Sequence, residues 1–189
     1  MGKLLYAILV GLVGAAIIHI AILFLIPHTT ARDAWSQLEE AGELYQVTPA
    51  TGSGAEVVPL VRNGDPLFRA AACRFDLADG GLQLSSLHQL PFWSLSIHDR
   101  AGQTTYSLTD RAASAGLLDV VILSPLQMVE MRRAMPTDLE RAVFIESTTS
   151  EGIALVRALV PDQSWNSVAD RFFRDLNCQP LTEDAASAP

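Results

Sequence analysis

The chain has 189 residues, of which 49% are hydrophobic and 18% charged, and its formal net charge is −8. After residue 26 it holds 12 arginines against 21 acidic residues, a formal charge of −9. A surface of this sign repels phosphate backbones, which argues against nucleic acid and anionic lipid surfaces as partners. The roughly 160 residues of this part suffice for one compact domain.

The N-terminal residues predict a membrane anchor. Leu4 to Ile26 carries no charge, and 15 of its 23 residues are Leu, Ile, Val or Phe. A helix rises about 1.5 Å per residue, so this run spans the roughly 30 Å hydrocarbon core. A cleaved signal peptide is the alternative, but its apolar region usually has about 7–15 residues. We therefore predict a cytoplasmic tail at residues 1–3 and an uncleaved transmembrane helix at 4–26.

The charges that flank the anchor predict its orientation. Lys3 and the amino terminus precede the apolar run, whereas Arg32 follows it in the company of Asp33, Glu39 and Glu40. Positive charge is retained on the cytoplasmic side of membranes. The C-terminal domain is therefore predicted to be exported.

Four positions of the anchor share one helical face, because they recur every four residues: Ala7, Gly11, Ala15 and His19. Small residues at this spacing allow a second helix to approach closely, and a polar residue within a membrane favours a partner. Alternatively, Ala and Gly are common in membrane spans, and His19 reaches towards the exported interface. Helix–helix association and a lone span both remain open. A haem-ligand role for His19 has no second ligand position to support it, and we predict no cofactor.

The two cysteines, Cys73 and Cys178, both lie in the exported part. In an oxidising compartment such a pair tends to form a disulfide, and the separation excludes a CxxC redox motif. The alternative is two unrelated buried thiols, which behave as small hydrophobic residues. We predict the disulfide.

The exported part predicts an α+β domain with one antiparallel sheet packed by two or three helices. Residues 27–66 form a helix, from Ala31 to about Leu44, and a linker. Residues 67–180 form the domain, because strand runs and helical runs are set apart along the chain. Residues 181–189 have little to bury and are predicted to be disordered.

Alternating apolar residues predict two hairpins in the domain. One joins 71–77 to 82–84 through a turn at 79–81. The other places 99–102 in a four-residue loop, which sets Leu95 opposite Tyr106. Ser124-Pro125 predicts the start of a helix, and Ser164 predicts the cap of a final helix running to about Asn177.

Several sequence segments of the domain resemble those of a known family. They are residues 73–77, 91–99, 106–111 and 160–165, with Pro91-Phe92-Trp93-Ser94-Leu95-Ser96-Ile97-His98-Asp99 the most specific. The chain resembles the uncharacterised bacterial membrane proteins of the domain-of-unknown-function 1254 family, and a similar phrase occurs in its companion family, 1214. The resemblance implies a bacterial membrane protein with a partner of related build, and it carries over no catalytic residue. We therefore expect a single-pass inner-membrane protein with a periplasmic domain.

His98 and Asp99, with Ser96 as nucleophile, are the candidates for catalysis. Neighbouring strand residues point to opposite faces, so Asp99 is poorly placed to orient His98. A turn aspartate that caps its own loop, beside an exposed histidine, is the favoured interpretation. The histidines show no HxxxH, HxH or HExxH spacing, so no metal site is predicted.

Two functions of different classes therefore remain. The favoured hypothesis is a non-catalytic binding or assembly subunit that associates with a second copy or a companion membrane protein through its anchor. The alternative is a membrane-tethered enzyme with its site on the Ser96/His98 face of the central hairpin.

Overall fold

The computed structural model describes residues 2–51, 65–78 and 80–181, with the backbone alone for 26–34. Its helices and strands, in chain order, are α1 (Gly2–Ala41), β1 (Val47–Pro49), β2 (Phe68–Asp76), β3 (Gly81–Ser85), β4 (Trp93–Asp99), β5 (Thr104–Thr109), β6 (Asp119–Leu123), α2 (Pro125–Arg133), β7 (Val143–Glu146), β8 (Glu151–Leu159), α3 (Asn166–Arg174) and β9 (Asn177–Leu181). Two 3₁₀ turns precede β6, and one precedes each of β7 and α3.

Helix α1 has an apolar half and a half that docks on the domain. Residues Gly2–Leu25 are long and apolar enough to cross a membrane, and the domain buries none of the most apolar stretch. The helix then continues without interruption to Ala41, so the separate helix that we predicted from Ala31 to about Leu44 is instead the end of α1. Trp35 and Leu38, on its last turns, are buried against the domain.

The domain is built from two sheets, and the predicted α+β class is confirmed. One sheet has five antiparallel strands in the order β1-β2-β8-β4-β5. The other has four strands in the order β7-β6-β3-β9, with β6 and β7 parallel. The main core joins the inner sides of both sheets with α3, and its largest fully buried side chains are those of Phe75, Trp93 and Phe172. α1 covers part of the outer face of the five-stranded sheet, through contacts with Ala70, Ala72 and Ile153.

The predicted hairpin of 71–77 with 82–84 is wrong. β2 pairs with β1 and β8, whereas β3 pairs with β6 and β9 in the other sheet. The backbone N–H of Leu77 donates to Ser150 O, which keeps the end of β2 beside β8. The chain then crosses to the four-stranded sheet, where β3 lies. Alternation assigns a buried face to each strand, but it does not specify the sheet that each one joins.

The second predicted hairpin forms, with a register that differs by two residues. Leu95 lies opposite Leu108, and Ile97 lies opposite Tyr106. A bulge between Ile97 and His98 accommodates one extra residue of β5, and the loop between His98 and its partner Thr104 is one residue longer than predicted. Together they give the shift of two. A shift of two preserves the faces, so Trp93, Leu95 and Ile97 still point into the core.

The C-terminal part differs from the predicted final helix. α3 ends at Arg174, and the residues that follow form β9 along β3, with Leu181 opposite Gly81. Leu181 is therefore part of the sheet, and the rest of the predicted tail, 182–189, lies outside the described residues.

Asp162, not Ser164, caps the turn before α3. Hydrogen bonds from the Ser164 hydroxyl and then its backbone N–H hold the pKa of Asp162 below its usual value.

The predicted disulfide is present and joins the two sheets. Cys73 lies on the inner face of β2, Cys178 lies in β9, and both are buried. Their Cα atoms are 6.6 Å apart, at a sequence separation of 105. The disulfide therefore links β9, a strand that the sequence did not predict, to the five-stranded sheet.

Candidate binding site

The residues that sequence analysis proposed for catalysis lie on the outer face of β4. Ser96 Oγ is 2.9 Å from His98 Nε2, so the two side chains form a hydrogen-bonded pair. On its other side His98 Nδ1 lies 3.2 Å from Thr104 Oγ1 and 3.3 Å from Gly102 O. Asp99 instead accepts a hydrogen bond from the backbone N–H of Gln103 at 2.8 Å. Asp99 therefore stabilises the β4–β5 turn, and the hydrogen-bond partners of His98 are Ser96, Thr104 and Gly102.

A serine bonded to a histidine is one component of a nucleophilic site, which also needs a substrate cavity and oxyanion donors. Ser96 is flanked across the sheet by Leu155 and Ser107, and His98 by Ile153 and Thr104. Neither Ser96 nor His98 lines the two cavities described below. Both side chains are half-buried on the outer face of the sheet, outside those two cavities.

A cavity lies instead where the end of α1 meets the outer face of the five-stranded sheet, at the ends of β2 and β8. Its volume is about 560 Å³, and it is lined by Trp35, Glu39, Glu43, Leu44, Arg74, Asp76, Arg100 and Glu151. A second, shallower cavity of about 440 Å³ continues along the end of α1 and shares Glu39, Glu43 and Leu44. The cavities therefore depend on the docking of α1.

Arg74 occupies an unusual position in the larger cavity. It projects from the outer face of β2, where the end of α1 covers it, and its side chain is 8% exposed. Nη2 donates to Gly42 O at 2.7 Å, while Nη1 lies 3.9 Å from Glu39 Oε1, beyond hydrogen-bond distance. Among the described residues nothing accepts a hydrogen bond from Nε, which is buried. This cation is therefore only partly satisfied by the protein.

Trp35 links the two arginines of the cavity. The guanidinium carbon of Arg74 is 5.3 Å from the centre of its ring, and that of Arg100 is 5.2 Å away. Both distances are typical of cation–π contacts. Arg100 also forms an ion pair with Glu151 at 2.7 Å. The contacts of Arg100 thus connect the β4–β5 turn to both α1 and β8.

The cavity has an excess of negative charge, because four carboxylates and two guanidinium groups line it. Glu151 is paired with Arg100, and Asp76 Oδ1 accepts from the backbone N–H of Ala78. Glu39 and Glu43 are exposed at the C-terminal end of α1, whose last turn has no basic residue. Carboxylates at the negative end of a helix dipole are unfavourable, by about 0.3–1 kcal/mol each.

Sequence analysis missed this site, although two signals were present. The glutamates stand at the end of the predicted helix, where basic residues are favoured. Arg74 interrupts an otherwise apolar run, from Ala70 to Phe75. The anchor positions Ala7, Gly11, Ala15 and His19 are exposed along α1, and the described residues contain no group of three metal-ligating side chains.

Comparison with known proteins shows a shared fold and no family. No family model matches the chain, and no curated protein is found to be similar. Its fold is similar to the VPA0106 protein from Vibrio parahaemolyticus, with a TM-score of 0.57 and 13% identity over 86% of this chain. An uncharacterised protein from Burkholderia cenocepacia gives a TM-score of 0.49 and 14% identity over 84%. This chain spans only 38% and 41% of those two chains.

The structure thus defines a class, an α+β domain that carries an N-terminal apolar helix. At 13% identity, the similarity to the Vibrio protein concerns the fold alone.

Proposed function

We propose that this protein is a single-pass, membrane-anchored periplasmic subunit that binds or assembles with a partner and performs no catalysis. The observation that carries the proposal is the apolar half of α1, which the domain leaves uncovered. Each large apolar side chain that is left in water costs about 1.5–3 kcal/mol relative to burial. More than a dozen of them on one helix require a bilayer or another protein around it.

The exposed face with Ala7, Gly11, Ala15 and His19 is the proposed assembly surface within the membrane. A Cβ added at Gly11 would meet nothing within 4 Å, so a second helix has room to approach there. The resemblance to the family named above, whose members occur with a companion protein, favours a companion membrane protein or a second copy as the partner.

A membrane-tethered enzyme is the competing function. The observation that favours it is the Ser96–His98 hydrogen bond of 2.9 Å. The pair lines neither of the two cavities described above, however, and Asp99 is engaged with its own turn. We therefore place binding ahead of catalysis.

The proposal is tested on full-length protein in native membranes. Alkaline carbonate washing should leave the protein in the membrane fraction, whereas a cleaved precursor would release it. Gly11→Leu with Ala15→Leu should weaken chemical cross-linking within the membrane. Val13→Leu, on a different face, is the matched control. Release by carbonate contradicts the anchor, and unchanged cross-linking of the double variant contradicts the assembly surface.

A further inference from the structure

We propose that the last turns of α1, residues 35–41, form a releasable strap that alternates between a docked state and a minor released state. In the docked state Trp35 and Leu38 pack on the outer face of the five-stranded sheet. The inference rests on the proposed membrane-anchored subunit, and it names how the anchored helix is coupled to the domain. A partner that binds one of the two states better than the other would shift their balance.

The strap is held to the sheet by few side chains. Of its seven residues, Trp35 and Leu38 are buried and the other five are exposed. Burial of two large apolar side chains keeps the docked state dominant, with a released population of about 1% or less. The strands keep their own hydrogen bonds when the strap lifts, because α1 pairs with none of them.

Arg74 opposes docking, because the strap seals a cation that the protein satisfies only in part. Its side chain is 8% exposed, Nη2 donates to Gly42 O at 2.7 Å, and Nη1 lies 3.9 Å from Glu39 Oε1. Nε is buried and has no acceptor among the described residues. A buried donor without an acceptor is costly, and water would reach it once the strap lifts. The docked state is therefore less favourable than its apolar contacts alone would make it.

Arg100 favours docking from the β4–β5 turn. Its guanidinium carbon is 5.2 Å from the centre of the Trp35 ring, and its Nη1 is 2.7 Å from Glu151 Oε2. The same turn supplies Gly102 O, which lies 3.3 Å from His98 Nδ1. Release of Trp35 would remove one of the contacts of Arg100, so a movement of α1 reaches the turn that holds His98. One arginine thus resists the docked state and the other supports it.

The test is fluorine NMR of the full-length protein in detergent micelles, with 5-fluorotryptophan in place of its three tryptophans. Trp35→Phe assigns the Trp35 resonance. In the wild type, saturation transfer and relaxation dispersion should show that this resonance exchanges with a minor state of about 1% or less. The resonance of Trp93, which is fully buried in the core, should show no exchange and verifies that each variant is folded.

Two variants should shift the released population in opposite directions. Methionine keeps a contact with the Trp35 ring but carries no charge. Arg100→Met should raise the released population at least about threefold, because a cation–π contact and an ion pair are lost. Arg74→Met should lower it at least about threefold, and should offset the increase in the double variant, because the buried cation is gone. Arg132→Met, exposed on α2 beside the other sheet, is the matched control and should change nothing.

The proposal is overturned if the Trp35 resonance shows no exchange in either the wild type or Arg100→Met. It is also overturned if Arg74→Met fails to lower the released population in the Arg100→Met background. Both outcomes leave the anchored subunit standing, because carbonate washing and cross-linking test it separately. Release by carbonate with opposite shifts in the two arginine variants would instead remove the anchor and keep the strap.

Discussion

The guanidinium carbon of Arg74 lies 5.3 Å from the centre of the Trp35 ring, which joins β2 to the last turns of α1. Trp35 is buried together with Leu38 against Ala70 and Ala72. The same helix that carries the apolar segment is therefore fixed on the sheet by both packing and cation–π contacts.

Trp35→Ala should destabilise the domain strongly. It removes a buried aromatic side chain and its contacts with both arginines, so we expect a loss of about 3–5 kcal/mol in the free energy of unfolding. Urea unfolding of the full-length protein in detergent measures it. Leu44→Ala, at an exposed position beside the same cavity, is the control and should cost far less. Equal effects of the two variants would show that α1 is not docked through Trp35.

Replacing Cys73 and Cys178 by alanine should lower stability by about 4–5 kcal/mol, because the disulfide closes a long loop in the unfolded chain. Equilibrium unfolding of the wild type and the double variant measures the difference. Reductant should shift the midpoint of the wild type and leave the double variant unchanged. If the wild type contains two free thiols by thiol titration, the bridge is not formed in the cell.

His98→Ala and Ser96→Ala should retain full function in a cellular assay. Ser96→Ala loses one partly exposed hydrogen bond, and His98→Ala loses that bond together with its contacts to Thr104 and Gly102; each lost hydrogen bond costs about 0.5–1.5 kcal/mol. A serine-reactive fluorophosphonate should leave the wild-type protein unlabelled. Labelling that disappears in Ser96→Ala, together with loss of function, would support the enzyme hypothesis instead.

Gly152→Ala should destabilise the centre of the five-stranded sheet. A Cβ there would lie 2.6 Å from His98 O and 2.6 Å from Phe75 Cζ, in a fully packed region. Such overpacking typically costs about 1–3 kcal/mol, which urea unfolding detects. Gly14→Ala, where a Cβ meets nothing within 4 Å, is the matched control. A neutral Gly152→Ala would mean that β4 and β2 are further from β8 than described.

Local signals in the sequence predicted much of the fold. The helix predicted to begin at Ser124-Pro125 is confirmed. Ser124 accepts from Gln127 N while the Gln127 side chain accepts from Ser124 N, a reciprocal cap that depends on neighbouring residues alone. The disulfide also follows from two cysteines of the same part of the chain.

Long-range pairing could not be predicted in the same way. β9 contains Pro180 and borders a polar stretch, so nothing in its pattern marks it as a strand along β3. The bulge beside His98 and the longer loop together shift the register by two, which leaves the faces unchanged, so the pattern fits either register. The cavity was missed for the same reason, since Trp35, Arg74 and Arg100 meet only after α1 docks on the sheet.

The central claim is that the apolar N-terminal helix remains in the bilayer and holds the domain on the exported side. Fusions of alkaline phosphatase and of green fluorescent protein after Pro189 test it most directly in bacterial cells. We predict an active phosphatase and a dark fluorescent protein in the membrane fraction. A fluorescent fusion with an inactive phosphatase would place the domain in the cytoplasm and contradict the account.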